Sequence, residues 1–493
     1  MTANTSAGSR TLVWRAALVL LLAVGAILRL YDLADPPLDF HATRQLRNSL
    51  VARAIYYDVL PHADVAKRAL ADSFRRSVGL YEPPIIESLT AFTYLLTGES
   101  IAVPRIYQTL FWLLAGIALF DLARRISSVP AGLVALAYYL VLPFSVQASR
   151  SFQPDPLMAA TFLAGVYFLF RWAEDPSWKW AVLAGALLGF AALVKIVIAL
   201  LVGGAVIGLL LSMRMPRVWK SRQLWAMAAL MILPAFAYYV LGTPGRSSEY
   251  FFAWTVTLFQ IVLSPEFYAD WLAFLGSLFG LTVVLLGLVG TLLAPPRARS
   301  LLLGIWVGYL FYGLTLPFQM YTHSYYHVQL IPIVALGLAC AASPILERLA
   351  AETIWWRFSL TVVLVAGFGY QAWVARSVLA AEDFRHEPAF WRQVGDSIPD
   401  DALVIALTQD YGYRLMYWGW RKVSLWPILT DLSTARGGTQ DASANFGALT
   451  AGQEYFLVTA YNQLEKQPGL ARILAGLPIA AQGNGFVLYD LRK

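Results

Sequence analysis

The chain has 493 residues, of which 58% are hydrophobic and only 14% carry a charged side chain. This composition excludes a soluble globular protein and indicates a helical protein that crosses a membrane several times. The net charge of +7 comes mostly from basic residues at the ends of apolar runs, where they orient spans, so the charge does not indicate nucleic-acid binding.

The first apolar run covers 12–30. It is long for a signal peptide and lacks a small-residue cleavage site. We therefore predict an uncleaved first span, followed by a long outer loop at 31–100. Asp39 and His41 lie in this loop just after two prolines, where the chain leaves the membrane.

The outer loop is predicted to contain two helices that lie in the membrane interface. One begins near Arg44, with Asp39 or Thr43 as its N-cap, and has an apolar face opposite a basic one. The other covers 85–96, after a Tyr-Glu-Pro-Pro segment at 81–84. We therefore expect an ordered loop that lies against the membrane.

Hydropathy predicts ten further spans, so about eleven helices cross the membrane. The run 181–211 is too long for one crossing, and we divide it at Lys195, its only charged residue. The aromatic-rich stretch 250–266 is predicted to be re-entrant or interfacial. The ten spans are 102–122, 129–147, 155–172, 178–194, 196–212, 223–241, 268–293, 299–315, 326–344 and 356–376.

Basic residues in the short loops predict the orientation. In this span count Arg124 and Arg125, a cluster at 214–222, Arg297 and Arg299 all fall on one side. By the positive-inside rule that side is cytoplasmic, together with the N-terminus. The first loop, all five histidines and the C-terminal tail then lie outside. The predicted location is the bacterial cytoplasmic membrane.

The chain becomes more polar after the last span. We predict a transmembrane domain at 1–377 and a small soluble extracytoplasmic α/β domain at 378–493. The expected elements of the tail are a helix at 389–397 and short strands at 402–407, 454–459 and 485–490.

Four polar clusters share the predicted outer face. Ionisable residues at membrane depth are costly, so such clusters indicate a site or a pathway. In chain order the clusters contain Asp39, His41 and Arg44; Glu82 and Glu87, with Arg105 downstream; Arg150 and Asp155; and His323, Tyr325, Tyr326 and His327.

Each cluster also has a purely structural interpretation. Asp39 and Asp155 suit helix N-caps. Arg105 and Arg150 suit snorkelling to lipid head groups, and the histidine–tyrosine segment suits an aromatic belt. A single cysteine, Cys340, excludes a thiolate metal cluster. We predict no metal site and no cofactor, and a divalent-metal requirement stays open.

In their order and spacing these segments resemble the integral-membrane glycosyltransferases of the GT-C type, in the family-39 group of protein O-mannosyltransferases and aminoarabinose transferases. The similarity covers about 12–345. It differs at two points. The family's Asp-Glu pair after Pro-Pro-Leu is replaced by an early Asp39, with His41 near the usual acid, and Glu82 stands where some relatives have a lysine. The matching segments are the acidic first loop, E-P-P-x-x-E from Glu82, T-G-E from Thr97, Pro104-Arg105, S-R-x-x-x-P-D-P from Ser149 and H-x-Y-Y from His323.

The resemblance implies a GT-C fold and a polyprenyl-phosphate sugar donor. It also implies transfer to an acceptor on the outer face, usually with inversion, and a catalytic acid in the first loop. That role carries over to Asp39, with His41 as the second candidate.

The chemistry points to the same residues. Inverting transfer needs a base beside the acceptor hydroxyl and cations on the leaving phosphate. Asp39 suits the base. The candidates for binding the donor phosphate are Arg44, Arg105, Arg150, Lys195, His323 and Tyr326. The remaining site candidates are Glu82, Glu87, Asp155, Tyr325 and His327.

The predicted function is therefore transfer of a sugar from a polyprenyl-phosphate donor, held in the membrane lipid, to an extracytoplasmic acceptor that is a lipid, a glycan or a protein. Two alternatives stay open. One is a lipid-linked glycan ligase that uses a diphosphate donor. The other is a lipid or polysaccharide transporter without chemistry, which an ordered interfacial carboxylate disfavours.

Overall fold

The computed structural model describes residues 2–79, 81–213, 219–243, 246–429 and 442–492, with only the backbone for 2–11 and 246–248. The chain divides into two compact units. Unit 1 contains Met1–Leu33, Leu80–Ile86 and Ala102–Glu382. Unit 2 contains Ala34–Gly79, Glu87–Ile101 and Asp383–Lys493. By its contacts, most of the predicted outer loop therefore groups with the C-terminal segment.

Unit 1 is helical throughout its described residues. Its long helices are joined by short 3-10 and π segments at Ile196–Ile198, Ala237–Gly242, Phe252–Val256, Phe259–Leu263 and Ser324–His327. The helices are Thr2–Leu30, Ala102–Ile126, Val129–Val141, Pro143–Arg150, Pro154–Glu174, Trp178–Val194, Ala199–Leu211, Arg222–Phe236, Arg246–Phe251, Pro265–Phe279, Leu281–Leu293, Pro296–Thr315, Pro317–Thr322, Leu330–Ala350 and Ile354–Ala381.

Seven of the described helices are long and apolar enough to cross a membrane, and nine spans result if each of two bent helix pairs counts as one. The chain is therefore an integral membrane protein. A count of eleven also requires the shorter apolar helices Trp178–Val194 and Ile196–Leu211. The exact number of crossings stays a prediction.

Two spans that the sequence predicts as continuous helices are bent. The predicted span 129–147 turns by 61° where Pro143 begins a new helix, because proline cannot donate the backbone hydrogen bond that would continue the first one. The predicted span 268–293 turns by 94° at Gly280, whose φ of +78° is strained for any residue with a Cβ. Hydropathy misses both bends because apolar residues continue through them.

Glycines let pairs of helices in unit 1 approach each other closely. A Cβ added at Gly204 would lie 2.2 Å from the carbonyl oxygen of Gly304, on the helix that packs against it. A Cβ at Gly290 would lie 1.9 Å from the carbonyl oxygen of Gly337. Small residues at such contacts permit the backbone proximity that drives helix association in lipid.

The first helix of unit 2, Ala42–Val59, differs from its prediction in two ways. Its N-cap position is occupied by His41, in the left-handed conformation with φ 49°, so neither Asp39 nor Thr43 caps it. Its basic face is buried as well as its apolar one, since Arg47 and Arg53 are almost inaccessible. Its location in a membrane interface stays a prediction.

The C-terminal part of unit 2 contains a five-stranded sheet in the order β2-β1-β3-β5-β4. Strand β1 pairs in parallel with β2 and β3, whereas β5 pairs antiparallel with β3 and β4. The strands are β1 Val404–Leu407, β2 Ser424–Leu425, β3 Tyr455–Val458, β4 Ile479–Gly483 and β5 Phe486–Asp490. The other helices with residues in unit 2 are Val65–Val78, Ile85–Thr97, Glu387–Asp396, Phe446–Leu449, Tyr461–Leu464 and Pro468–Ala475.

Both faces of this sheet are covered. Ala406 and Leu457 pack on one side with Trp391, while Ile405 and Phe456 pack on the other. Burial on both faces explains why the central strands appear in the sequence as continuous apolar runs rather than alternating ones.

Arg53 joins the outer-loop helix to the C-terminal segment inside unit 2. Its Nε donates to Glu99 Oε2 at 2.8 Å and one terminal nitrogen donates to the carbonyl oxygen of Tyr417. Its guanidinium lies 4.0 Å and 4.5 Å from the ring centroids of Tyr417 and Trp420. Burial acts to lower the pKa of Arg53, but Glu99, Tyr417 and Tyr57 together outweigh burial, so the pKa is raised. Burial also raises the pKa of Tyr417 to about 12.

Candidate functional site

The predicted division of the run 181–211 is present at Lys195. Helix Trp178–Val194 ends there, Lys195 adopts an extended backbone with φ −155°, and a 3-10 turn leads into the next helix. A break at membrane depth exposes backbone polar groups, and it is tolerated where it lines protein or a cavity. The break therefore places a charged side chain at a position where a polar ligand can be held.

Asp155 is the ion-pair partner of Lys195. The ammonium Nζ donates to Oδ1 of Asp155 at 2.7 Å, and both side chains are at most 5% exposed. Asp155 lies in the first turn of helix Pro154–Glu174, whose N-terminal dipole favours a carboxylate. Because Gln153 takes the N-cap position, the N-cap interpretation of Asp155 is wrong.

Aromatic rings surround this pair. The Lys195 ammonium lies 4.3 Å from the ring centroid of Tyr326 and 5.0 Å from that of Tyr325. The hydroxyl of Tyr326 shares a 2.8 Å hydrogen bond with that of Tyr250. The negative ring faces stabilise the buried cation and hold it away from water.

Lys195 also lines a cavity of about 70 Å³ in unit 1. Tyr81 and Glu82 contribute to the wall, together with Tyr239, Thr243 and Tyr250. The second oxygen of Asp155, Oδ2, is buried and finds no hydrogen-bond donor among the described residues. Unsatisfied buried acceptors of this kind are rare in native proteins, so a water or a ligand hydroxyl is the expected partner.

The arrangement can bind an anion beside a hydroxyl-bearing group. An ammonium in an aromatic, largely dry environment attracts phosphate strongly, and a carboxylate oxygen beside it accepts a hydrogen bond from a sugar. A phosphate would compete with Asp155 for Lys195. The pair is therefore suited to exchange between two anions.

The first-loop candidates lie in unit 2. Asp39 is partly buried, and its Oδ1 accepts a 3.1 Å hydrogen bond from Gln45. The side chain of His41 is also partly buried, with its ring at an edge-on angle to Phe40, and Arg44 lies one turn further on. The hydroxyl of Thr43 donates to Asp410 Oδ1 at 2.6 Å. Contacts at both ends of the segment therefore order it.

Arg105 and Arg150 meet at the chain that follows the first span. Arg150 donates to the carbonyl oxygens of Tyr31 and Asp32, at 2.6 and 2.9 Å, and Arg105 donates to that of Leu33 at 2.9 Å. Both arginines are at most 2% exposed, so snorkelling to head groups does not describe them. Their hydrogen bonds fix the backbone at the start of the outer loop, at residues 31–33.

The two histidines of the fourth cluster differ. His327 is fully buried, and its ring nitrogens contact the Tyr309 hydroxyl and the Met320 carbonyl oxygen, so it packs as a core residue. His323 is partly buried, with Nδ1 2.6 Å from the Thr322 hydroxyl. Within this cluster, Tyr325 and Tyr326 contact Lys195.

Three polar residues of the cavity wall have no motif in the sequence that predicts them: Tyr239, Thr243 and Tyr250. Only the aromatic-rich stretch at 250–266 gave a signal for one of them. Glu82 lines the cavity as a member of unit 1, whereas Glu87 is buried in unit 2. No group of three His, Cys, Asp or Glu side chains suited to a metal occurs among the described residues.

Comparison with known proteins places this geometry in context. Residues 81–242 match the family described as dolichyl-phosphate-mannose-protein mannosyltransferase. No curated protein matches the chain. The structure is similar to ArnT from Cupriavidus metallidurans bound to undecaprenyl phosphate, with 15% identity, 98% of each chain covered and a TM-score of 0.57.

Two other solved structures are similar. Archaeal oligosaccharyltransferase AglB from Archaeoglobus fulgidus, in complex with an inhibitory peptide and a dolichol-phosphate, has 13% identity and a TM-score of 0.55, with 98% of this chain and 74% of that one covered. Arabinofuranosyltransferase AftD from Mycobacteria has 17% identity and a TM-score of 0.53, with 97% and 40% covered. These matches confirm the resemblance to the GT-C type, family-39-like proteins and show that the chain has their fold.

Proposed function

We propose that this chain, which has the GT-C fold, is a membrane glycosyltransferase that moves a sugar from a polyprenyl-phosphate donor to an extracytoplasmic acceptor. The observation that carries the proposal is the Lys195–Asp155 pair at a helix break, which opens on a cavity with tyrosine walls. The similarity to ArnT bound to undecaprenyl phosphate supports a lipid phosphate as the ligand.

In the proposed reaction the acceptor hydroxyl loses its proton to Asp39, or to His41 if the imidazole is the base. The acceptor oxygen forms a bond to the anomeric carbon while the bond from that carbon to the phosphate oxygen breaks. The electron pair leaves with the polyprenyl phosphate, whose negative charge a cation has to stabilise. Attack opposite the leaving group inverts the configuration.

Lys195 is the only cation among the described residues that line the cavity. One cation suits a monophosphate better than a diphosphate, which favours the transferase over the ligase. Glu82 in the same wall adds negative charge and disfavours a second phosphate there.

The topology is part of the proposal. The N-terminus and the basic loops face the cytoplasm, the outer loop and residues 378–493 face outward, and the tail folds as a small α/β domain on the bacterial cytoplasmic membrane. Arg214 and Arg217 of the basic cluster lie outside the described residues. In a Cys340→Ser background, Ala451→Cys should react with an impermeant maleimide in intact spheroplasts, and reaction only after lysis would reverse this orientation.

The decisive experiment measures release of undecaprenyl phosphate from undecaprenyl-phosphate-linked monosaccharides by the purified protein in lipid nanodiscs, with lipid, glycan and peptide acceptors supplied to take the sugar. We expect release from at least one donor, and loss of release in Asp39→Asn. Donors that cross a proteoliposome membrane without cleavage would instead support a transporter. Release only from diphosphate-linked donors would support the ligase.

A further inference from the structure

A basic groove lies at the end of unit 1 away from the Lys195 cavity. Helix Pro154–Glu174 has Asp155 in its first turn and Arg171 in its last turn, about 24 Å apart at the usual helical rise. Helix Ala102–Ile126 likewise has Arg105 in its first turn and two arginines, Arg124 and Arg125, in its last. The two ends of these helices therefore face opposite membrane surfaces.

The groove is a cavity of about 870 Å³, much larger than the cavity at Lys195. Part of its lining is basic, with arginines from three separate segments. The apolar part of the lining includes Leu18, Ile117 and Phe168. The basic residues that line it are Arg15, Arg124, Arg125 and Arg171.

The carboxylates beside the groove do not balance these arginines. Asp121 accepts hydrogen bonds from both Arg124 and Arg125 through its two oxygens, at 2.7 Å each. Glu174 lies 3.3 Å from both Arg125 and Arg171. The two carboxylates carry two negative charges and the four arginines carry four positive charges, so the groove has an excess of two positive charges.

Arg15 and Arg124 supply most of that excess at the groove surface. No carboxylate lies within ion-pair distance of Arg15 among the described residues, and its side chain is exposed. The Arg124 side chain is 41% exposed although it pairs with Asp121. Tyr167, which donates to Asp121 at 2.8 Å, adds a polar group to the lining of the groove.

We propose that this groove binds a diacyl phospholipid with an anionic head group, in the leaflet opposite the cavity of Lys195. The head-group phosphate lies among the arginines, and an acyl chain lies along the apolar wall. Basic pockets between spanning helices favour anionic lipids on the cytoplasmic side. Arginines that only orient a transmembrane helix need no apolar groove beside them. This groove combines an excess of positive charge with an apolar lining, as a phospholipid site requires.

The test uses native mass spectrometry of the detergent-purified protein with phosphatidylglycerol and phosphatidylcholine of identical acyl chains. We expect the wild type to retain phosphatidylglycerol preferentially. The double variant Arg15→Gln/Arg124→Gln should bind phosphatidylglycerol roughly 30-fold more weakly, with phosphatidylcholine unchanged. Both residues lie outside the proposed transfer machinery, so binding of undecaprenyl phosphate to the Lys195 cavity should persist and report a folded protein.

The matched control is Arg297→Gln/Arg299→Gln, which removes the same charge from two exposed residues in the first turn of helix Pro296–Thr315. This control should keep the preference for phosphatidylglycerol. A second variant, Ala118→Phe, fills the groove without changing charge and should weaken retention of both lipids.

Several results would overturn the proposal. Equal retention of the two lipids by the wild type, or an equal loss in the control, would show general surface charge. Displacement of phosphatidylglycerol by millimolar inorganic phosphate would indicate a simple anion site. Loss of undecaprenyl phosphate binding instead of phosphatidylglycerol binding in Arg15→Gln/Arg124→Gln would assign the groove to the donor lipid.

Discussion

Each unit contains a buried ion pair between distant segments, and the two pairs differ in what surrounds them. In unit 1, Lys195 pairs with Asp155 beside a cavity, and one oxygen of Asp155 finds no donor among the described residues. In unit 2, Arg53 pairs with Glu99, donates to a backbone carbonyl and lies against two aromatic rings. The first pair lies beside space that a ligand can occupy, whereas the second is enclosed by protein groups that hold two segments together.

This difference indicates which pair belongs to a ligand site and which stabilises the fold. The presence of a buried ion pair is weak evidence for either role, because desolvation offsets much of the attraction between the two charges. A pair is suited to bind a ligand when its surroundings leave space and an unused hydrogen-bonding atom for that ligand. On that basis Lys195 is the proposed donor-binding residue and Arg53 is expected to stabilise the fold, while the proposed base stays in the loop of Asp39. Four substitutions test this assignment.

The largest effect is expected for Asp39→Asn. The amide keeps the shape of the side chain and its contact with Gln45 but cannot accept a proton, so turnover should fall about a hundred-fold or more. Binding of undecaprenyl phosphate should not change. His41→Asn is the matched comparison. An inactive His41→Asn beside an active Asp39→Asn would move the base by two residues, and activity in both variants would remove this loop from the reaction.

Lys195→Met should weaken undecaprenyl phosphate binding ten- to a hundred-fold, because a contact with a desolvated phosphate is worth about 1.5–3 kcal/mol. The change also leaves Asp155 without its cation and destabilises the fold. The double variant Lys195→Met/Asp155→Asn should recover thermal stability but not binding. Lys179→Met, at an exposed position, is the control. Wild-type affinity in the stable double variant would exclude Lys195 as a phosphate ligand.

Arg53→Met should lower the free energy of unfolding by about 2 kcal/mol, less than for a fully buried pair because Glu99 is 21% exposed. Denaturant titration measures this change. Arg53→Met/Glu99→Gln should recover part of the loss. Turnover per folded molecule should stay close to wild type. A selective loss of turnover would instead bring Arg53 into the reaction.

Tyr250→Phe should have the smallest effect. It removes the hydroxyl that bonds to Tyr326, and a net hydrogen bond of about 1 kcal/mol corresponds to roughly a five-fold loss of affinity for undecaprenyl phosphate. The turnover rate at a saturating donor concentration should equal that of the wild type. Tyr370→Phe, which changes a tyrosine that is 61% exposed, controls for the substitution. An affinity equal to that of the control would remove Tyr250 from the donor site.

The sequence by itself determined the class of protein. Long apolar runs can be satisfied in lipid only by helices, so composition and hydropathy sufficed to place the protein in a membrane. The break at Lys195 was also visible, because a lysine inside a long apolar run cannot sit in hydrocarbon without a partner. Motif order pointed to the GT-C fold, which the structural matches confirm.

Tertiary structure decided which charges meet. No local pattern relates Lys195 to Asp155, forty residues away, or Thr43 to Asp410. Arg105, Arg150 and Lys195 look equivalent in the sequence, yet two hold backbone carbonyls while the third lines a cavity. The sequence did not predict the bends at Pro143 and Gly280. It also did not predict that the basic face of helix Ala42–Val59 is buried. Hydropathy and spacing report each segment alone, whereas the partner of a buried charge depends on how the segments pack.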